Sequence, residues 1–392
     1  MDVVSVKLRS KHDRRVKSGH PWVFSNELEG GAKGLPPGGA VDVLDRGGAF
    51  VGRGYANPNS LIAVRIMARS RPDVDSTDFF VQRLQDAVAH RELLYPGRRS
   101  LRLVSSEGDQ LPGLVIDRYD DVLVVQITTL GIEHRLGALR EAIDEVLAPK
   151  GAVLRAPERM RALEGLQPIH EAWFGEVPDE VVIDELGVRF AVNPLGGAKT
   201  GHFYDQADNR YFAGSLCRGR SVLDVYAHTG GWAMHALVGG ATEAVCIERS
   251  DGHAEAIARN AELNGVAMPE VVSAEARRSL QKMIGEGRVF GAVVLDPPAF
   301  AKNKKSAGNA LRGYAELNAL GMALLEPGGL LFTSSCSYHV HEDRFLQAVM
   351  DAARQHGRVL RLVRRGEQSA DHPVLPHMPE SRYLKTFALQ LL

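Results

Sequence analysis

The stretch LLFTSSCSYHVHEDRF, residues 330–345, sets a cysteine among serines where an apolar run stops and a helical pattern begins. The run is rich in β-branched and aromatic residues and reads as a buried strand. Glu342 and Asp343 suit a first helical turn, and Phe345, Val349 and Ala352 recur along one helix face. Cys336 therefore falls in a strand-to-helix loop, where a thiolate can act as a nucleophile if the helix amino end lowers its pKa. The other reading is a small buried residue. That reading is expected for Cys246, inside an apolar strand, and for Cys217, just before one, and both should be inert.

Three further stretches carry chemistry. In LDVYAHTGGWAMHAL, Asp224 ends a strand and Gly230-Gly231 allow a tight turn that brings backbone close to a ligand. The three spaced glycines of the dinucleotide fingerprint are missing, which disfavours a dehydrogenase. Glu248 ends the next strand, where its carboxylate could accept from both hydroxyls of a ribose; the alternative is a solvated charge. In LDPPAFAKNKK, Asp296, Pro297 and Pro298 form a rigid loop able to hold an acid and its neighbouring carbonyls against a planar substrate. His339 and His341 lack carboxylate or cysteine partners at ligand spacing, so no metal site is expected. His20, Pro21 and Trp22 read as barrel packing or an RNA-facing edge, and Trp22 and Phe24 as core or as bases' stacking partners.

These residues need a scaffold that brings strand ends together. From about residue 191 strands alternate with helices: SVLDVYA, AVCIE, EVVSA, AVVLD, GLLFTSS, VLRLV and YLKTFALQLL, with a helix over 252–263 stopped by Asn264-Gly265. The pattern predicts an α/β fold with a mostly parallel sheet covered on both faces, whose ligands bind at the carboxyl ends of the strands. Residues 1–72 hold short β-like runs between Gly, Pro and Asn clusters and read as a small β-barrel. Residues 73–190 read as a mixed α/β segment, with a helix over 78–95, two strands in GLVIDRYDDVLVVQITT, and a helix over 133–147. The third domain is expected over 191–392.

A chain of 392 residues favours two or three domains. The N-terminus is charged where a signal peptide needs an apolar stretch, and no apolar run approaches the roughly 18 residues of a membrane span. Three cysteines without paired spacing argue against a disulfide framework and for a reducing cytoplasm. With a formal net charge of −1, contact with nucleic acid must come from local clusters. Two exist: Lys7, Arg9, Lys11, Arg14, Arg15 and Lys17, and then Lys302, Lys304 and Lys305, each of which could equally be a solvated face.

The order DVYAHTGG, Glu248, DPPAF, SSCS resembles class I S-adenosylmethionine-dependent methyltransferases, specifically the RNA cytosine-5 methyltransferases that carry an N-terminal PUA domain. KHDRRVKSGHPWVFSNEL with GRGYANPNSLIAVRI is similar to that family's RNA-binding barrel, EGDQLPGLVIDRYDDVLVVQ to its central domain, and KTGHFYDQADNR to the segment leading into its catalytic domain. The resemblance covers the whole chain. It implies a Rossmann-like catalytic domain with a seven-stranded sheet, S-adenosylmethionine as cofactor, RNA as partner (23S ribosomal RNA in particular) and a homodimer.

Residue by residue, the resemblance assigns Asp224, Thr229, Gly230 and Gly231 to the cofactor turn and Glu248 to the ribose. Lys199, Phe203, Asp205 and Gln206 match the segment over the cofactor, and Asp296, Pro297 and Pro298 the substrate loop. Cys336 matches the nucleophile. His228 stands where an aromatic residue is usual, and Glu275 where an Asp usually meets the adenine amino group. Pro298-Ala299 replaces the Pro-Cys of two-cysteine enzymes, which excludes their mechanism. In the implied reaction Cys336 adds to carbon 6 of cytosine, Asp296 holds the amino group and N3, and an unidentified base removes the carbon-5 proton. Two alternatives remain open: methylation of a guanine nitrogen with Cys336 structural, and a non-catalytic RNA-binding protein.

Overall fold

The computed structural model describes residues 3–10, 13–156, 158–196, 201–301 and 303–392, with the side chains of all of these except Arg159 and Asp251. The chain forms two compact units, one of residues 1–183, 192–204 and 370–381, the other of 184–191, 205–369 and 382–392. Among the described residues no helix is long and apolar enough to cross a membrane.

The first unit begins with β1 (Val4–Lys7), α1 (Asp13–Lys17), β2 (Trp22–Phe24), β3 (Ala40–Leu44), β4 (Phe50–Ala56) and β5 (Ile62–Ala68). The strands pair in the order β1-β3-β4-β5-β2, around a core that includes Val6, Val23, Val41, Val43 and Val64. After α2 (Thr77–Leu94) comes a second five-stranded sheet of β6 (Ser100–Ser105), β7 (Leu114–Tyr119), β8 (Val122–Ile127), β9 (Gly151–Ala156) and β10 (Ile169–Gly175). The expected Asp-Asp turn joins β7 to β8, with Asp120 in the left-handed region at φ 55°. The helix expected over 133–147 is two pieces, α3 (Leu130–Glu133) and α4 (Leu136–Leu147). α5 (Glu158–Ala162) precedes β10, and the hairpin of β11 (Val181–Glu185) and β12 (Val188–Val192) is divided between the units.

The second unit alternates α6 (Ala207–Leu216), β13 (Ser221–Val225), α7 (Gly231–Val238), β14 (Glu243–Glu248), α8 (Asp251–Asn264), β15 (Glu270–Ser273), α9 (Ala276–Gly285) and β16 (Phe290–Leu295). It continues with α10 (Ala307–Ala323), β17 (Leu325–Ser335), α11 (Glu342–Gln355), β18 (Leu360–Gly366) and β19 (Lys385–Leu391). The seven strands run β15-β14-β13-β16-β17-β19-β18; the first five are parallel, and β19 pairs antiparallel with both its neighbours.

Alternation along the strands assigns the faces. Leu223, Val225, Val245, Ile247, Val293 and Leu295 join the core under α9, α10 and α11, including Phe345 and Val349 as anticipated. The intervening positions, Asp224 and Cys246 among them, point to the opposite face. Strand order reverses at β13, with β14 on one side and β16 on the other, so the carboxyl ends of β13 and β16 lie at the switch point where open α/β sheets bind ligands.

Candidate active site

The turn from β13 to α7 is the most strained stretch of the second unit. Tyr226, His228 and Gly230 all have positive φ, at 66°, 52° and 78°. Only the last is a glycine, so two residues with a Cβ are held in a conformation that costs about 1 kcal/mol or more each. Sequence reasoning assigned the tight turn to Gly230-Gly231, but Gly231 is the first residue of α7, and a Cβ there would meet Arg210 Cδ at 3.0 Å. Beneath the turn Asp224 is fully buried, one residue before the end of β13. Its Oδ2 accepts from the backbone N–H of Ala233 at 3.0 Å, while Oδ1 has no hydrogen-bond partner. Burial pushes its carboxyl up to about 7, against the opposing pull of the Ala233 N–H.

Glu248 closes β14 and binds the same turn: Oε2 accepts from His228 N at 2.8 Å, and Oε1 from Arg249 N at 2.8 Å and Ser250 N at 3.0 Å. Burial disfavours its charge, yet the donors on Ser250, His253 and His228 prevail and hold its carboxyl below the usual range. Each carboxylate oxygen has two lone pairs, so Oε2 keeps one beyond its bond to His228. Thr229 gives its carbonyl to Asn260 Nδ2 at 2.9 Å. Glu275 is exposed and caps α9, accepting from Arg277 N at 3.1 Å and Arg278 N at 2.8 Å.

Asp296 follows β16 directly. Its Oδ1 accepts from Gln206 Nε2 and its Oδ2 from the indole N–H of Trp232, both at 3.0 Å. Burial pushes its carboxyl up to about 6; the Trp232 bond opposes this and the Asp205 charge adds to it. Asp205 is itself held by Tyr383, whose hydroxyl donates to Oδ2 at 2.8 Å. Pro297 is buried and Pro298 exposed. Lys304 and Lys305 lie exposed in a short 3-10 turn ahead of α10. Lys199, Lys302 and Lys11 lie outside the described residues, and Phe203 belongs to the first unit.

Cys336 follows β17 and is half-buried, whereas Cys217 and Cys246 are buried. Burial pushes the Cys217 thiol up to about 12 and that of Cys246 well above its ordinary value, so neither ionises readily. The serines around Cys336 anchor its loop. Ser334 Oγ bonds Thr386 Oγ1 at 2.9 Å, and Ser337 Oγ meets the Tyr314 hydroxyl at 3.0 Å and accepts from Ala301 N at 3.1 Å. The last bond ties the loop of Asp296 to the loop of Cys336, which follow the paired strands β16 and β17. The Lys385 ammonium donates to Ser337 O at 2.8 Å.

Sequence reasoning missed Trp232 and Lys385. Trp232 was in plain view after the glycine pair; Lys385 sat in a terminal strand with nothing local to single it out. The acceptors left at Asp224 Oδ1 and Glu248 Oε2 suit a ligand rich in hydroxyl and ammonium donors, which describes the ribose and amino acid ends of S-adenosylmethionine.

A family model described as S-adenosylmethionine-dependent methyltransferase matches residues 102–386. The chain belongs to that family. Accordingly this methyltransferase uses S-adenosylmethionine, and residues 6–69 match a PUA-like domain. Curated relatives named ribosomal RNA large subunit methyltransferase I include proteins of Tolumonas auensis, 37% identical over 99% of both chains, and Shewanella denitrificans, 37% identical over 97% of this chain and 98% of that one. Among solved structures, a methyltransferase in complex with SAH superposes with a TM-score of 0.85 at 19% identity over the full length of both chains. Another, from Streptococcus mutans, gives 0.83 at 18% identity over 99% of this chain and all of that one. At these identities the methyltransferase shares their fold.

Proposed function

We propose that the protein methylates carbon 5 of a cytosine in large-subunit ribosomal RNA, 23S rRNA, in the cytoplasm, through a covalent adduct of Cys336. The observation that carries this reading is the Ser337 to Ala301 bond, which joins the half-exposed cysteine's loop to the loop of Asp296. The names of the curated relatives support the RNA, and the PUA-like domain supports RNA binding by the first segment. Division into domains at 72 and 190, with the third binding the cofactor, belongs to the same proposal. The homodimer that the resemblance implies is tested by light scattering.

When bound, S-adenosylmethionine would supply an electrophilic methyl group to carbon 5, its sulfur–methyl bond breaking to leave S-adenosylhomocysteine. Asp224, Glu248 and the Thr229–Gly231 turn would hold it, with Glu275 near the adenine and Asp205 and Gln206 from the preceding segment; Phe203 and Lys199 are assigned there by the resemblance alone. The Cys336 thiolate forms a bond to carbon 6 of the ring, and the electron pair of the 5,6 double bond becomes available at carbon 5. Asp296, whose carboxyl is raised to about 6, can share a proton with N3 as negative charge accumulates on the ring. Loss of the carbon-5 proton then expels the thiolate and restores the double bond. Pro297 and Pro298 stiffen the loop, and Lys302, Lys304 and Lys305 would meet RNA phosphates. The target base must leave any stack to reach these groups.

The experiment is nucleoside mass spectrometry of ribosomal RNA from a strain lacking the gene, treated with enzyme and methyl-labelled S-adenosylmethionine. Label in 5-methylcytidine is the expected result; label in a methylated guanosine overturns the cytosine reading and returns Cys336 to a structural role.

A further inference from the structure

A cation on β19 bonds to the Cys336 loop and is not used by the proposed reaction. Lys385 opens β19 as the cross-strand partner of Ser335, the residue before the cysteine. Its Nζ donates to the carbonyl of Ser337, the residue after it. The side chain thus runs alongside position 336 and is pinned at both ends. Lys385 is only 6% exposed, an unusual setting for an ammonium.

Among the described residues, the other charged or titratable groups that act on the ammonium or on the Cys336 loop have another partner or the wrong character to neutralise it. Glu342, at the start of α11, is paired with Arg365 at 2.9 Å and Arg382 at 2.8 Å. Arg382 is itself a cation. Tyr314, on α10, is bonded to Ser337 Oγ, and burial raises its phenol so that it stays neutral. Among the described residues, the remaining group that acts on the ammonium is the Cys336 thiol, through its charge. We propose that Lys385 is the counter-ion that keeps Cys336 ionised, so that the nucleophile is charged before any RNA arrives. The assignment rests on the reading of Cys336 as nucleophile and makes Lys385 a positioning residue for it. The thiol proton leaves to water and the lysine keeps its own. A buried amine beside a thiolate satisfies two charges that burial would otherwise penalise, and each favours the ionised form of the other. Burial lowers the lysine to about 8 while the neighbouring Cys336 raises it, so the ammonium persists at neutral pH.

The test reads the thiol without RNA. The full-length protein is alkylated with iodoacetamide across pH 5.5–9.5 (roughly the span over which a perturbed thiol ionises) and modification of Cys336 is followed by mass spectrometry. Wild type should react with a midpoint about one pH unit or more below that of a free thiol, near 8.5. Lys385→Met should move the midpoint upward by about one unit and slow reaction at neutral pH about tenfold, whereas Lys385→Arg should keep it low. Should the Met variant fail to fold, Lys385→Gln retains a donor for the Ser337 carbonyl and makes the same measurement. A merely structural lysine would change the rate at every pH without moving the midpoint, and an unmoved midpoint in a folded variant overturns the assignment. Methyl transfer by Cys336→Ala, assayed in parallel, separates the two ideas. An inactive Cys336→Ala with an unmoved midpoint sinks the lysine assignment alone, and an active one sinks the covalent reading on which it rests.

Discussion

Trp232 donates its indole N–H to Asp296 across 3.0 Å, linking the first turn of α7 to the loop after β16. The indole is almost fully buried, tilted on Phe332 with ring centroids 6.3 Å apart. Gln206 holds the other carboxylate oxygen, so the orientation of Asp296 is set by the protein before a substrate enters.

Replacing Trp232 by Phe keeps most of the ring and removes only the donor. A hydrogen bond to a charged group contributes about 1.5–3 kcal/mol. Turnover should fall roughly 10- to 100-fold, and the Asp296 carboxyl, freed of a bond that favours its charge, should titrate higher. The acid limb of the kcat profile is the measurement, with cofactor affinity by calorimetry expected to be nearly unchanged.

Cys336→Ala should abolish methyl transfer and leave S-adenosylmethionine binding intact, because the cradle proposed at Asp224 and Glu248 belongs to β13 and β14, not to the cysteine loop. Trapping of a protein–RNA adduct on denaturing gels should likewise vanish. Substantial remaining turnover would rule out the covalent route.

Asp224 couples stability to pH. Its carboxyl rises from 3.8 to about 7 on folding, so between those values the folded chain holds a proton that the unfolded chain has lost. Stability from this group is therefore full below the unfolded value and declines as pH rises through the folded one. Asp224→Asn, which can still accept from Ala233, should melt several degrees above wild type at about pH 8 and show a much smaller gain near pH 5, roughly midway through the titration. The same substitution should weaken S-adenosylmethionine binding, since it gives up the acceptor that the cofactor would use.

Glu275→Ala removes the cap of α9 and should cost about 1 kcal/mol by urea unfolding. If Glu275 also meets the adenine, cofactor affinity falls beyond what the lost cap explains; Glu275→Gln, which keeps an acceptor, separates the two by calorimetry. Unchanged affinity in both variants would confine this residue to capping.

Much of the scaffold was legible in the sequence. The period-2 and helical patterns after residue 191 located the seven strands, and strand ends identified Asp224, Glu248, Asp296 and Cys336, because both signals are local and each strand end is marked by a turn residue or a helix start. The glycine pair announced a turn but concealed its conformation. Tyr226 and His228 adopt positive φ although neither is a glycine, and the bond from His228 N to Glu248 together with those from Tyr226 N and Ala227 N to the Ile247 carbonyl hold the turn in that conformation. The partners of Asp296 lie 64 and 90 residues away in sequence, at Trp232 and Gln206, and Lys385 reaches the Cys336 loop only through an antiparallel register at the end of the chain. Periodicity reports which face a side chain occupies, since that depends on neighbours a few residues away. Which distant donor completes a carboxylate, and which cation lies beside a thiol, depends on strand order and register, and those are decided by packing of the whole unit.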